Sequence, residues 1–176
     1  MTIRLFVRAI VLPAVLALGS VTSVIANADE KLSPGDQQFM QDASQAGATE
    51  IAASKLALAN SSNPQVKKFA QQMIADHTKL ARSLDVVATA KGLGTSPGAD
   101  SALVGKLQGL KGDDFDKAYI EQVAVGGHEK AVELFQKESE SGNDPQLKGA
   151  ATRALPVIRH HLAMAQQLAN AHKAAS

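Results

Sequence analysis

Apolar and small residues recur at alternating steps of three and four along four stretches of the chain, each bounded by turn residues. Phe39, Ala43, Ala46, Glu50, Ala53 and Ala57 form the first stripe, and Val66, Ala70, Met73, His77, Leu80, Leu84 and Val87 the second. Ala118, Glu121, Val125, His128, Val132 and Phe135 make the third. Leu147, Ala151, Ala154, Ile158, His161, Ala165 and Leu168 make the fourth. This spacing keeps one face of a helix turned inward, the pattern of a helical bundle. Helix starts are marked by Ser33-Pro34, Asn63-Pro64 and Asp144-Pro145. In each, a capping side chain precedes a proline that gives up an N–H with no helical partner. A fourth start falls at Asp113 or Asp114. With stops at Asn60, Lys91-Gly92 and Ser141-Gly142, the pattern predicts helices over about 34–60, 64–91, 114–140 and 145–172. The expected fold is all-α, one four-helix bundle, each helix about 40 Å long.

Short turns join helices one to two and three to four, so each pair is expected to be an antiparallel hairpin. The middle connection, 92–113, is longer and has room for a short helix over Ser101–Leu110. It either crosses the bundle lengthwise, as in ferritin-like folds, or doubles back.

The N-terminus changes the picture of location. Arg4 and Arg8 precede an uncharged apolar run to Val24, and Ala26-Asn27-Ala28 then offers small residues to a signal peptidase. This is the order of a secretory signal peptide over 1–28, leaving a bundle domain over 29–176. The run is short for a membrane anchor and holds Pro13 and Gly19. Export is therefore expected, to the periplasm, with outer-membrane association as a possible addition. No transmembrane segment is expected in the mature chain.

Composition narrows the chemistry. There is no cysteine and no tryptophan among the 176 residues, so neither disulfides nor thiolate ligands are available. Of 18 basic and 17 acidic residues, Arg4 and Arg8 fall in the signal segment, so 16 face 17 in the mature part. That balance gives no reason to expect nucleic acid or an anionic membrane surface as partner. A protein partner or self-association stays open. No phosphate loop, Gly-x-Ser-x-Gly elbow or cysteine-based metal spacing occurs, and no catalytic residue is assigned.

The stripes are interrupted by Glu50, His77, His128 and His161, one per helix and each near its helix midpoint. In an antiparallel bundle of equal helices, midpoints share one level. A carboxylate and three imidazoles in an apolar core are costly unless paired or bound to a cation. Two arrangements follow: a hydrogen-bonded polar layer without metal, or a mononuclear site for zinc, copper, iron or manganese. A dinuclear iron site is disfavoured, because Ile74 and Ile158 stand where its Glu-x-x-His pairs would need glutamates. Glu121, two turns from His128, is assigned to another layer. Asp76 is a candidate for supporting a ligand or for the surface. Tyr119 is expected to pack with its hydroxyl satisfied, with support of the site as the alternative. His160 is expected outside the core and His172 carries no role. Asp116 is read as a first-turn residue, and Pro156 is expected to bend the fourth helix. Gly126-Gly127 point to close helix packing or a local distortion beside His128.

Several segments taken together resemble an exported bacterial family that carries a domain of unknown function, the DUF4142 type, often labelled outer membrane proteins. They are Phe69-Ala70-Gln71-Gln72-Met73-Ile74-Ala75-Asp76-His77-Thr78, Phe115-Asp116-Lys117-Ala118-Tyr119-Ile120, His128, Leu155-Pro156 and His161-Leu162. The resemblance covers about 35–172. It implies a ferritin-like bundle and a periplasmic location, and brings no established activity. Two expectations of function follow. One is a non-catalytic binding or stress-related module; the other is a protein holding one transition metal with one core ligand per helix.

Overall fold

The computed structural model describes residues 31–94 and 97–175; the expected signal peptide lies outside them. The described residues form helices α1 (Pro34–Asn60), α2 (Pro64–Ala90), α3 (Ser101–Gln108), α4 (Gly112–Tyr119), α5 (Gly126–Ser141) and α6 (Pro145–Ala175). A π-helical turn, Ile120–Val125, joins α4 to α5, so the two run on as one long rod. With α1, α2 and α6 this rod makes the four-helix bundle, and no strand occurs among the described residues.

Three starts follow the capping chemistry. Ser33 Oγ accepts from Asp36 N at 3.1 Å. Asn63 Oδ1 accepts from Gln65 N at 2.9 Å, and Asp144 Oδ1 from Gln146 N at 2.9 Å. The fourth start differs from the expected aspartate cap: Lys111 stands at the cap position without a side-chain bond. Gly112, at φ +55°, turns the chain between α3 and α4, a conformation that favours glycine.

The core settles the topology. One apolar cluster holds Ala57 of α1, Val66 and Phe69 of α2, Phe115 and Tyr119 of α4, and Leu168 of α6. A second holds Phe39 of α1, Leu84 of α2, Phe135 of α5 and Leu147 of α6. The late part of α1 thus meets the early part of α2, the early part of the α4–α5 rod and the late part of α6. Directions run up, down, down, up, so the middle connection crosses the bundle lengthwise, as in ferritin-like folds. Leu93, at its start, packs on the second cluster, and Leu107 is buried in the first. Midway, Asp100 N donates to Thr49 Oγ1 of α1 at 2.8 Å and holds the crossing against the bundle. Around the ring α1 packs on α2 and α5, and α6 on α2 and α5.

The π turn corrects the third stripe. Gly126 N donates to Glu121 O, five residues back, so this turn carries one residue more than an α-helical turn. One extra residue rotates the face by about 100°. Upstream of His128 the buried apolar positions are Phe115, Ala118, Tyr119, Ile120, Val123 and Ala124, whereas Glu121 is exposed and Val125 is half-buried. Glu121 therefore belongs to no inner layer. Asp116 is buried too, with Ser61 as a hydrogen-bond partner, rather than serving the helix end.

Candidate metal centre

Between the two apolar clusters lies a polar layer. Glu50 of α1, His77 of α2, His128 of α5 and His161 of α6 are all buried in it. Their common height follows from helices of similar length meeting at mid-span. The three imidazoles pack as a trio with ring centroids 5.4–5.5 Å apart. One donor atom from each can be chosen so that all lie within 4.8 Å of one another.

The hydrogen bonds decide which nitrogens are available. His128 Nδ1 lies 2.8 Å from the carbonyl of Ala124. A carbonyl can only accept, so Nδ1 carries the proton and Nε2 keeps its lone pair. That lone pair faces His77 Nε2 at 3.4 Å. His161 Nε2 lies 3.1 Å from Asp76 Oδ2, so its N–H donates to the carboxylate and Nδ1 is left unprotonated. His161 Nδ1 and His77 Nδ1 are buried with no hydrogen-bond partner. With His128 Nε2 accepting, His77 Nε2–H is the donor of that pair. His77 therefore offers Nε2 to an ion once its proton moves to the unpartnered Nδ1, whereas His128 Nε2 and His161 Nδ1 already hold lone pairs.

Burial also sets the charge. Desolvation, reinforced by His128 and His161, pushes His77 down to about 3. Desolvation and the neighbouring His161 push His128 down to about 4, against the pull of the Ala124 and Val123 carbonyls. His161 is lowered by desolvation, an effect that Asp76 opposes. Near neutral pH all three are neutral, the form that ligates metal. Asp76 is the anion of the group. Partial burial raises its carboxyl, but hydrogen bonds from Gln72, His161 and Lys79 outweigh it and hold it at about 2.

Glu50 stands beside the trio. Its Oε1 approaches His128 Nδ1, the nitrogen that meets the Ala124 carbonyl, at 3.5 Å. Its Oε2 has no partner, and desolvation pushes the carboxyl well above the usual range. The two glycines before His128 have separate causes. A Cβ on Gly126 would stand 3.0 Å from Glu121 O, the acceptor of the π turn, and one on Gly127 only 2.6 Å from Glu50 Oε1. Both readings of the pair hold, local distortion at the first and close approach at the second.

Tyr119 lies in the apolar cluster beside the layer. Its hydroxyl shares a 2.8 Å hydrogen bond with Ser54 and its ring stacks on Phe115. Desolvation, and then the charge of Glu50, push its pKa up. His160 is exposed, and His172 is paired with Asp113 at 3.5 Å. α6 continues through Pro156 as one helix.

Sequence reasoning missed a buried carboxyl pair, Asp36 and Glu138, at the far end of the bundle. Asp36 accepts from Asn143 N at 3.0 Å, and Glu138 hydrogen-bonds Asp36. The signal was present: Asp36 stands three residues before Phe39 and Glu138 three after Phe135, each continuing an inward stripe.

Solved structures share this fold. A DUF305 fragment from Deinococcus radiodurans superposes with a TM-score of 0.67 at 17% identity, over 80% of this chain and 99% of that one. A secreted DUF305 protein from Streptomyces coelicolor gives 0.67 at 15% identity, over 79% and 92%. CopM in its Cu(I)-bound form gives 0.64 at 19% identity, over 75% and 93%. No curated protein matches the sequence. The sequence pattern of DUF4142, a domain of unknown function, matches residues 22–168, and the chain belongs to that family.

Proposed function

We propose that this protein binds one transition-metal ion through His77, His128 and His161, as a carrier, store or sensor rather than an enzyme. One observation carries the reading: three buried, neutral imidazoles with their donor atoms within 4.8 Å of one another. Two nitrogens bound to a tetrahedral ion at 2.0–2.1 Å stand about 3.3–3.4 Å apart. His77 Nε2 and His128 Nε2, 3.4 Å apart, already have that separation.

A metal-free polar layer accounts for less. It leaves Glu50 Oε2, His77 Nδ1 and His161 Nδ1 buried and unsatisfied. Each such atom costs about 1–3 kcal/mol. A cation in the trio takes up the His161 nitrogen, and the anchoring of His161 by Asp76 is the usual support of a metal-bound histidine. A donor set of imidazoles without thiolate suits copper and zinc. The Cu(I)-bound form of CopM makes copper the first ion to test. The signal peptide expected over 1–28 supports a location outside the cytoplasm for this activity.

The test is metal content and affinity of tag-free protein titrated with Cu(I) under reducing conditions and, separately, with Zn(II). One equivalent is expected, lost in His77→Ala and in His161→Ala. Binding that survives both substitutions contradicts the proposal.

A further inference from the structure

Two clefts reach the histidine layer from opposite sides, and their charges differ. The first, of about 380 Å3, opens between α2 and α6 and is lined by Asp76, Lys79, Arg153 and His161 among others. The second, of about 430 Å3, opens between α1, α5 and the crossing connection. Its charged lining is Asp42, Glu50, Asp100 and Lys130, and His77 stands at the histidine layer. Even with Glu50 counted as neutral, carboxylates outnumber cations two to one in the second cleft. In the first the ratio is reversed.

Glu50 supplies the independent observation. It is more than nine-tenths buried, it lines the second cleft, and its Oε2 has no partner. Gly127 leaves room for this carboxyl, since any Cβ there would displace Oε1. We propose that the cleft between α1 and α5 is the route by which a divalent or monovalent metal cation reaches the trio, with Glu50 as the transfer ligand it meets before His77. This rests on the metal-binding reading above and adds the direction of approach. Asp42 and Asp100 draw the cation to the mouth. Glu50 Oε2 then takes it from water, the carboxyl proton leaving through the same cleft. His77 lines both clefts and is the imidazole next in line.

A transfer ligand speeds arrival and departure alike and leaves the equilibrium in place, which separates it from a resident ligand. The experiment is stopped-flow uptake of Co(II) by the purified protein, read in the visible spectrum, with release followed on adding a chelator. Asp42→Asn/Asp100→Asn is expected to slow uptake roughly tenfold at low ionic strength and to flatten its salt dependence. Asparagine keeps the Asp100 cap on α3, so the fold stands. Glu50→Gln is expected to slow both uptake and release with Kd nearly unchanged, and Arg153→Gln to leave both rates alone. Uptake unchanged in the Asp42/Asp100 and Glu50 variants overturns the route. So does faster uptake in Arg153→Gln, or weaker affinity without slower uptake in Glu50→Gln. Failure of the unaltered protein to bind Co(II), Zn(II) and Cu(I) overturns the site itself as well as the route, and binding of Cu(I) or Zn(II) without Co(II) moves the same rate comparison to that ion.

Discussion

Replacing His77 with leucine is expected to make the metal-free protein markedly more resistant to acid. In the folded chain His77 titrates at about 3, against 6.5 for the free side chain. Its folded pKa is depressed, so the unfolded chain takes up the proton first as pH falls. The stability tied to neutral His77 is therefore intact above pH 6.5 and is lost progressively down to about pH 3. Over that window each pH unit is worth about 1.4 kcal/mol, so at pH 4.5 the loss from this one group is about 3 kcal/mol. Leucine carries no proton, fills a similar volume and removes the unpartnered Nδ1. Glu50, with its raised pKa, gains stability over the same descent, but it does so in both proteins and cancels in the comparison. The assay is urea unfolding at pH 7 and pH 4.5 with a chelator present. With a urea m-value of about 2 kcal/mol/M, the midpoint of the unaltered protein should fall by about 1.5 M more than that of His77→Leu. Parallel pH profiles would show that His77 is not held neutral by the core, and the electrostatic account of the layer would fail.

Other expectations concern the ends of the bundle. Lys91 and Asp144 form an ion pair at 2.5 Å with both side chains largely buried. Lys91→Ala strands that carboxylate at the start of α6 and should cost about 3 kcal/mol by chemical denaturation; a loss near zero would mean the pair is solvated. Glu138 titrates at about 7, raised first by desolvation and then by Asp36 and Asp144. Its contribution is full below pH 4.5 and lost as pH rises through 7, so Glu138→Gln should flatten the stability profile between pH 6 and 8. An unchanged profile would place the proton elsewhere.

Much of this fold is legible in the residues, because the signals are local. Proline after serine, asparagine or aspartate marks three starts, and the three-four spacing marks which faces meet. The height of Glu50, His77, His128 and His161 follows from helix midpoints alone. What local reasoning misses is the π turn. Its extra residue shifts the register upstream of His128, so the three-four spacing carries Glu121 and Val125 inward where Tyr119 and Val123 are found, while Ala118 stays buried. Gly126-Gly127 was the clue, and only the positions of Glu121 O and Glu50 Oε1 give each glycine its reason. The crossing of the middle connection is likewise non-local, set by Leu107 in the far cluster and the Asp100–Thr49 bond. Asp76 neighbours His77 in sequence and points elsewhere, yet it meets His161 because α2 and α6 are adjacent.

The central claim is a single ion held by three imidazoles at mid-height in the bundle. X-ray absorption on protein loaded with one equivalent of Cu(I) or Zn(II) tests it directly, since it counts the nitrogen donors and gives their distances. The account predicts three imidazole nitrogens, at about 2.0–2.1 Å for zinc, with one of them lost from the shell in His128→Ala. A shell dominated by carboxylate oxygen, or one that His128→Ala leaves intact, would contradict it.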